Sequence, residues 1–182
     1  MKATSYQDFA DGFSVDQIIQ NFVGNFNDGI NGCVELCDRW ADDKARIALR
    51  YERIDGSRGE LSFAELQRRS AQFANYLTSL GIGRGDRVAG LLPRTPELLI
   101  CVMGALRAGA VYQPLFTAFG AGAIEYRLQK AGTKLVVTNT EQWPKLSEVA
   151  ELPNTLLLAE ADAAEAAQAG ALFYPSLDAQ SE

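Results

Sequence analysis

The chain has 182 residues, 47% of them hydrophobic, so it is long enough to bury one substantial core. Its formal net charge of −6 excludes the basic surface that nucleic-acid binding requires. No apolar run approaches the roughly 20 residues that span a bilayer, and the polar N-terminus lacks the apolar segment of a signal peptide. We therefore expect a cytoplasmic protein with no membrane span and no nucleic-acid partner.

The first part of the chain predicts two helices. Apolar residues recur at helical spacing across residues 15–26, and residues 27–32 are typical of a turn. A second helix then places Cys33, Cys37 and Trp40 on one side. Either a core or a docking face accounts for both helices.

The cysteines do not indicate a disulfide framework, because their number is odd and their spacing irregular. Cys33 and Cys37 could share a helix face, but the chain has no histidine and no second cysteine pair, so a closed zinc site has too few ligands. We expect buried free thiols and no metal site. The lack of histidine also excludes Ser-His and Cys-His nucleophiles within this chain.

A hairpin and a long helix are predicted next. Residues 46–53 alternate in polarity as a strand does, and the glycine-containing turn after them leads into a second strand at Glu60 and Leu61. Ser62 and Glu65 then form a capping box that starts a helix. Its apolar residues continue at three-and-four spacing until Gly81 ends it.

The glycine-rich residues from Gly81 to Gly85 resemble a dinucleotide-binding loop. Such a loop must follow a strand and open a helix, whereas this one follows a helix and opens a strand. The pattern therefore indicates a helix-to-strand turn.

Strands and helices alternate from residue 86 onward, which predicts a mainly parallel, doubly wound α/β sheet with flanking helices and the small N-terminal hairpin beside it. The composition shifts to Ala, Glu, Asp and Gln at residues 159–170, and no clear period follows. We expect residues 1–170 to form one subdomain and residues 171–182 a linker or frayed end. The predicted strands are residues 86–92, 110–115, 134–138 and 155–158, and the predicted helices are residues 98–106, 121–130 and 141–149.

Four segments in a fixed order carry a family resemblance: LSFAEL from residue 61, GDRVA from residue 85, LPRTPE from residue 92 and LRAGAVYQPLF from residue 106. Together they resemble the N-terminal part of AMP-forming acyl-CoA synthetases, in the adenylate-forming superfamily. The segment NGCVELCDRW from residue 31 is similar to one that ends in Asp-Arg-His in acetyl-CoA synthetase relatives, with Trp40 in place of the histidine. The resemblance covers most of the chain and implies the N-terminal subdomain of a larger synthetase domain.

The loop after the Pro-Leu strand is the candidate binding segment. It joins the carboxyl end of a strand to a helix N-terminus, and from the residues alone it is either a ligand loop or a plain glycine-containing connection. The resemblance implies that Phe116, Thr117 and Ala118 contact the nucleotide end of coenzyme A. It also implies that a basic residue near the next strand contacts the coenzyme A phosphates, and Lys145 lies nearest to that position. No catalytic residue is expected in this chain.

The resemblance implies a full-length enzyme that joins a carboxylic acid to coenzyme A through an acyl-adenylate, using ATP and Mg²⁺. In the family pattern the phosphate loop, the acyl pocket, the ribose-binding Asp and the C-terminal Lys all come later than these segments. We therefore expect this chain to be inactive alone, to hold no cofactor tightly, and to supply a scaffold and one wall of the coenzyme A site. We also expect self-association through residues 121–130 or the sheet edge.

Two alternatives stay open. The first is the adenylation domain of a peptide synthetase or a luciferase-like ligase, although the aromatic residues Phe116 and Phe119 favour the coenzyme A branch. The second belongs to another class, a stand-alone α/β module that binds a nucleotide or a partner without catalysis. A longer reading frame beyond Glu182 would distinguish a synthetase from such a module.

Overall fold

A parallel sheet flanked by helices dominates the structure, a computed structural model that describes residues 5–158 and 172–173. The sheet has five parallel strands. From one edge to the other they are β4 (Val111–Pro114), β3 (Arg87–Leu91), β5 (Leu135–Asn139), β6 (Asn154–Leu158) and β7 (Leu172–Phe173). From β3 the chain crosses to β4 on one side of β3 and then to β5 on the other side of β3. The direction in which strands are added to the sheet therefore reverses at β3. The elements are β3 (Arg87–Leu91), α5 (Pro96–Arg107), β4 (Val111–Pro114), α6 (Ala121–Ala131), β5 (Leu135–Asn139), α7 (Trp143–Leu146), β6 (Asn154–Leu158) and β7 (Leu172–Phe173).

The part before the sheet is a two-stranded hairpin with short helices ahead of it and one long helix after it. The hairpin strands pair antiparallel, with Arg50 opposite Glu60. These elements are α1 (Tyr6–Asp11), α2 (Val15–Ile19), α3 (Gly32–Leu36), a 3₁₀ turn (Asp38–Trp40), β1 (Ile47–Glu52), β2 (Arg58–Ser62) and α4 (Phe63–Ser79).

The central strands are buried on both faces, which explains their nearly continuous apolar sequence. Side chains alternate along β3: Val88 joins a core with Phe73 of α4 and Ile100 of α5, whereas Ala89 joins a second core with Ile124 of α6 and Leu146 of α7. The two cores thus lie on opposite faces of one sheet. The predicted doubly wound α/β fold with its N-terminal hairpin is confirmed.

The long helix α4 begins as the capping signal predicts. The Ser62 hydroxyl accepts a hydrogen bond from the Glu65 backbone N–H at 3.1 Å. The Glu65 carboxylate, however, pairs with Arg68 and then Arg69, and these two guanidinium groups lower its pKa to about 2. Ser62 therefore fixes the start of the helix, while the Glu65 carboxylate forms ion pairs with Arg68 and Arg69 along the helix surface.

Helix α4 packs closely on α5 at Gly104. A Cβ placed there would lie 2.6 Å from Cδ1 of Phe73 and 2.9 Å from the Ser70 carbonyl oxygen. The two helix backbones approach this closely because residue 104 has no side chain.

The predicted helix at residues 15–26 is too long, because α2 ends at Ile19. The backbone N–H groups of Val23 and Gly24 donate to the buried Glu35 carboxylate at 3.1 and 2.7 Å rather than to helix carbonyls. The Gly24 hydrogen bond is also the main reason that the pKa of Glu35 is lowered. A buried carboxylate twelve residues away thus overrides the local helical period. The sequence analysis also missed α1, which Ser5 caps through the Asp8 backbone N–H.

Three further boundaries differ from the predictions. Helix α3 ends at Leu36, so Trp40 lies in the 3₁₀ turn, where the Arg46 guanidinium stacks 4.2 Å from its ring centroid. Helix α7 covers only Trp143–Leu146 of the predicted residues 141–149. Strand β7 falls inside the predicted linker, residues 159–170 lie outside the described residues, and the boundary at residue 170 stays a prediction.

Within the described ranges, no helix is both long enough and apolar enough to cross a membrane.

Candidate functional site

The carboxyl ends of β3, β4 and β5 border an open groove of about 1000 Å³. Counted from β3, the strand order is 2-1-3-4-5, and in such sheets ligands bind outside the carboxyl ends where the order reverses. The groove lies at this point. Its lining includes Arg94 and Thr95 after β3, Phe116 and Thr117 after β4, and Asn139 after β5.

The predicted binding loop forms one rim of the groove. Pro114 ends β4, Leu115 is buried in the second core, and the chain then turns with the Phe119 N–H donating to the Phe116 carbonyl at 3.0 Å. This turn directs the Phe116 ring outward, where it is 69% exposed, and its centroid lies 5.7 Å from that of Phe119. Thr117 is half-buried and Ala118 is exposed.

The loop leads directly into the N-terminus of α6. Gly120 is the N-cap residue and offers no side-chain oxygen to the first turn. The first N–H groups of an α-helix have no partner within the helix, so those of Ala121 and Gly122 suit an anionic oxygen. The glycine and alanine residues here leave the backbone accessible.

The structure brings Lys145 to the same loop, although 28 residues separate it from Thr117. Its ammonium group donates to the Thr117 carbonyl and, at 2.9 Å, to the Gln142 side-chain oxygen. Gln142 is buried, and its backbone N–H donates to the Asn139 carboxamide oxygen at 3.1 Å. Lys145 therefore joins α7 and the end of β5 to the loop, and its charge lies beside the predicted ligand contacts.

Sequence reasoning missed Arg127, a second cation at this loop. Its guanidinium lies 4.1 Å from the Phe119 ring centroid and donates to the Ala123 carbonyl at 2.8 Å. Residue 127 is two helical turns after Gly120, so the helical period could have predicted that both residues lie on the same side of α6. Two cations, Lys145 and Arg127, therefore contact the loop.

Tyr112 is a second residue that the sequence analysis did not select. It lines the groove, and its hydroxyl is buried without a hydrogen-bond partner among the described residues. Burial raises the pKa of Tyr112, and its protonated hydroxyl can donate a hydrogen bond.

Three features of the loop suit a ligand that carries a base and phosphate groups. An exposed aromatic ring at Phe116 can stack on a base, the N–H groups of an uncapped helix N-terminus can donate to phosphate oxygens, and two cations offset negative charge. No geometry for ATP or Mg²⁺ follows from these residues.

Comparison with known proteins gives consistent results. The sequence matches the family described as AMP-binding enzyme over residues 37–178. It is 39% identical over 118 residues to the acetyl-coenzyme A synthetase of Chromobacterium violaceum, covering 64% of this chain and 18% of that protein. It is 32% identical over 143 residues to the 3-hydroxypropionyl-coenzyme A synthetase of Metallosphaera sedula, covering 78% of this chain and 21% of that one.

A solved structure agrees with these sequence matches. The acyl-CoA synthetase of Brucella canis superposes with a TM-score of 0.86 at 42% identity, covering 97% of this chain and 32% of that protein. The chain spans about a fifth of the length of the curated relatives named above. The family match covers well over half of the chain, so this chain belongs to the AMP-binding enzyme family.

Proposed function

We propose that the chain is the N-terminal part of a cytoplasmic AMP-forming acyl-CoA synthetase. Such an enzyme activates a carboxylic acid with ATP to an acyl-adenylate and pyrophosphate, and the thiol of coenzyme A then displaces AMP. The observation that carries the proposal is the convergence of Phe116, Thr117 and Lys145 at the carboxyl end of the sheet. The relatives named above are all coenzyme A synthetases, which supports the same reaction class.

In this proposal the loop holds the nucleotide end of coenzyme A. The exposed Phe116 ring stacks on the adenine, and the small side chains of Thr117 and Ala118 let the backbone approach the ligand. Lys145 holds the loop through the Thr117 carbonyl and directs its charge to the phosphates. The chain thus binds and orients coenzyme A rather than reacting with it.

ATP and Mg²⁺ belong to the adenylation step, in which the cation neutralises the charge that develops on the departing pyrophosphate. We assign none of the described residues to either group. The scaffold role of this chain is to fix the sheet edge that carries the coenzyme A loop.

The 182-residue chain alone is expected to form no acyl-adenylate, because the family's phosphate loop and C-terminal lysine are not among its residues. ATP–pyrophosphate exchange should stay at background with a panel of short, branched and long carboxylic acids. The enzyme that contains this chain together with the later family motifs is the positive control, and it should give exchange and coenzyme A-dependent thioester formation. Exchange by the chain alone would contradict the assignment of roles.

We also propose that the chain self-associates. Val111 on the edge strand β4 is 51% exposed, and Tyr126 on α6 is 60% exposed. Unpaired edge backbone and exposed apolar side chains favour association. Sedimentation velocity should show a concentration-dependent shift to larger species, and Val111→Lys should reduce it, because lysine on an edge strand opposes pairing. A strictly monomeric chain at high concentration would argue against this proposal.

A further inference from the structure

Two buried cysteines and an aspartate meet where α3 passes into the 3₁₀ turn. The sulfur atoms of Cys33 and Cys37 and a carboxylate oxygen of Asp38 all lie within 4.8 Å of one another. Both cysteines are fully buried, and neither forms a disulfide. The sequence spacing alone offered two ligands, whereas the change from α-helix to 3₁₀ turn adds the third.

The spacing suits a shared metal ion better than a disulfide. In a helix, side chains four residues apart have their Cβ atoms about 5–6 Å from each other, and a disulfide needs about 3.5–4.5 Å. Two sulfur atoms on one tetrahedral zinc ion, each at about 2.3 Å, lie roughly 3.8 Å apart. The sulfur atoms of Cys33 and Cys37 lie no more than 4.8 Å apart, which is at most about 1 Å beyond that value.

The surrounding charges also fit a divalent cation. Arg107 forms a two-pronged ion pair with Asp38, at 2.5 and 2.9 Å. One divalent cation, two thiolates, one carboxylate and one guanidinium sum to zero net charge, which removes the main cost of burying the ion. A carboxylate has about four lone-pair sites, so the two hydrogen bonds from Arg107 leave sites of Asp38 for a metal.

The two thiols would lose only weak hydrogen bonds on binding a metal ion. Cys33 Sγ lies 3.9 Å from the Ser70 hydroxyl, and Cys37 Sγ lies 3.8 Å from the Phe63 carbonyl oxygen. Such sulfur hydrogen bonds are weak. A water can supply the fourth ligand that zinc prefers.

We propose that Cys33, Cys37 and Asp38 bind one thiophilic divalent cation of the Zn²⁺ class. On binding, two S–H bonds break, two metal–sulfur bonds form and two protons pass to solvent, with no change in oxidation state. The bound ion links α3 to the 3₁₀ turn, and the ion pair between Asp38 and Arg107 links that turn to α5. The site shares no residue with the coenzyme A loop, so it stands independently of the proposed function.

The test titrates the chelator-treated 182-residue chain with ZnCl₂ and with CdCl₂. We expect one equivalent to bind, with two protons released per Zn²⁺ and a thiolate-to-cadmium charge-transfer absorption. Cys33→Ser and Cys37→Ser should each weaken binding more than about tenfold. Cys101→Ala is the matched control, because Cys101 is also buried but lies outside the cluster, and it should bind as the unaltered chain does.

Circular dichroism shows whether each variant is folded, and zinc X-ray absorption on the unaltered chain decides the question without any variant. We expect two sulfur neighbours at about 2.3 Å, with nitrogen or oxygen completing the shell. A lack of saturable binding, a sulfur count other than two, or unchanged binding in folded Cys33→Ser would overturn the proposal.

Discussion

In the proposed full-length synthetase, Phe116→Ala should raise the KM for coenzyme A about ten- to a hundredfold and leave the adenylation half-reaction nearly unchanged. The Phe116 ring is 69% exposed at the rim of the groove, so its removal takes away a stacking surface rather than core packing. Stacking of a base on an aromatic ring contributes on the order of 1–3 kcal/mol, and about 1.4 kcal/mol corresponds to tenfold in affinity. Thioester formation at varied coenzyme A and ATP–pyrophosphate exchange measure the two steps separately.

Tyr126→Ala is the matched control for this experiment, because Tyr126 is 60% exposed on α6 and does not line the groove. It should change neither half-reaction. If instead Phe116→Ala slows both half-reactions equally and lowers the melting temperature, the ring has a packing role and the coenzyme A assignment is wrong.

The second large effect is expected on stability. Arg107→Ala should lower the free energy of unfolding by about 3 kcal/mol, because it leaves the Asp38 carboxylate unpaired in a partly buried position. The two side chains are only 22% and 18% exposed, and the guanidinium also donates to the Ser70 hydroxyl at 3.1 and 3.3 Å. For a chain of this size the loss corresponds to a fall in Tm of roughly 6–12 °C. Urea and thermal unfolding measure it.

Arg50→Ala provides the comparison within the same chain. Arg50 pairs with Glu60 across the hairpin at 2.7 Å, but the two side chains are 75% and 52% exposed. An exposed pair of this kind contributes about 0–1 kcal/mol, so this variant should unfold nearly as the unaltered chain does. Equal losses in the two variants would show that burial does not set the strength of the Asp38–Arg107 pair.

The sheet was predictable because its signals are local. Each central strand is a short apolar run between a glycine turn and a helix cap, as at Gly85 before β3 and Thr95 before α5. Gly81 and Gly85 adopt φ values of 69° and 81°, which fits the predicted helix-to-strand turn rather than a dinucleotide loop. Local sequence and tertiary packing agree at these positions, so the alternation of strands and helices from residue 86 onward was enough to predict the fold class.

The parts that were missed depend on contacts between distant residues. The period across residues 15–26 predicts a helix, but the Glu35 carboxylate holds Val23 and Gly24 in a turn, and no spacing rule reveals that contact. In the candidate site, the position of the loop at Phe116 after a strand left a ligand loop and a plain connection open, and only the family resemblance favoured a ligand loop. The hydrogen bond from Lys145 to Thr117 and the stacking of Arg127 on Phe119 arise only when α6 and α7 pack on the sheet.

A crystal structure of the proposed full-length synthetase with coenzyme A bound would test the central claim most directly. The account predicts the adenine of coenzyme A stacked on the Phe116 ring, with its phosphates close to Lys145 and the N-terminus of α6. Coenzyme A bound elsewhere, with the Phe116 ring covered by another part of the protein, would contradict it.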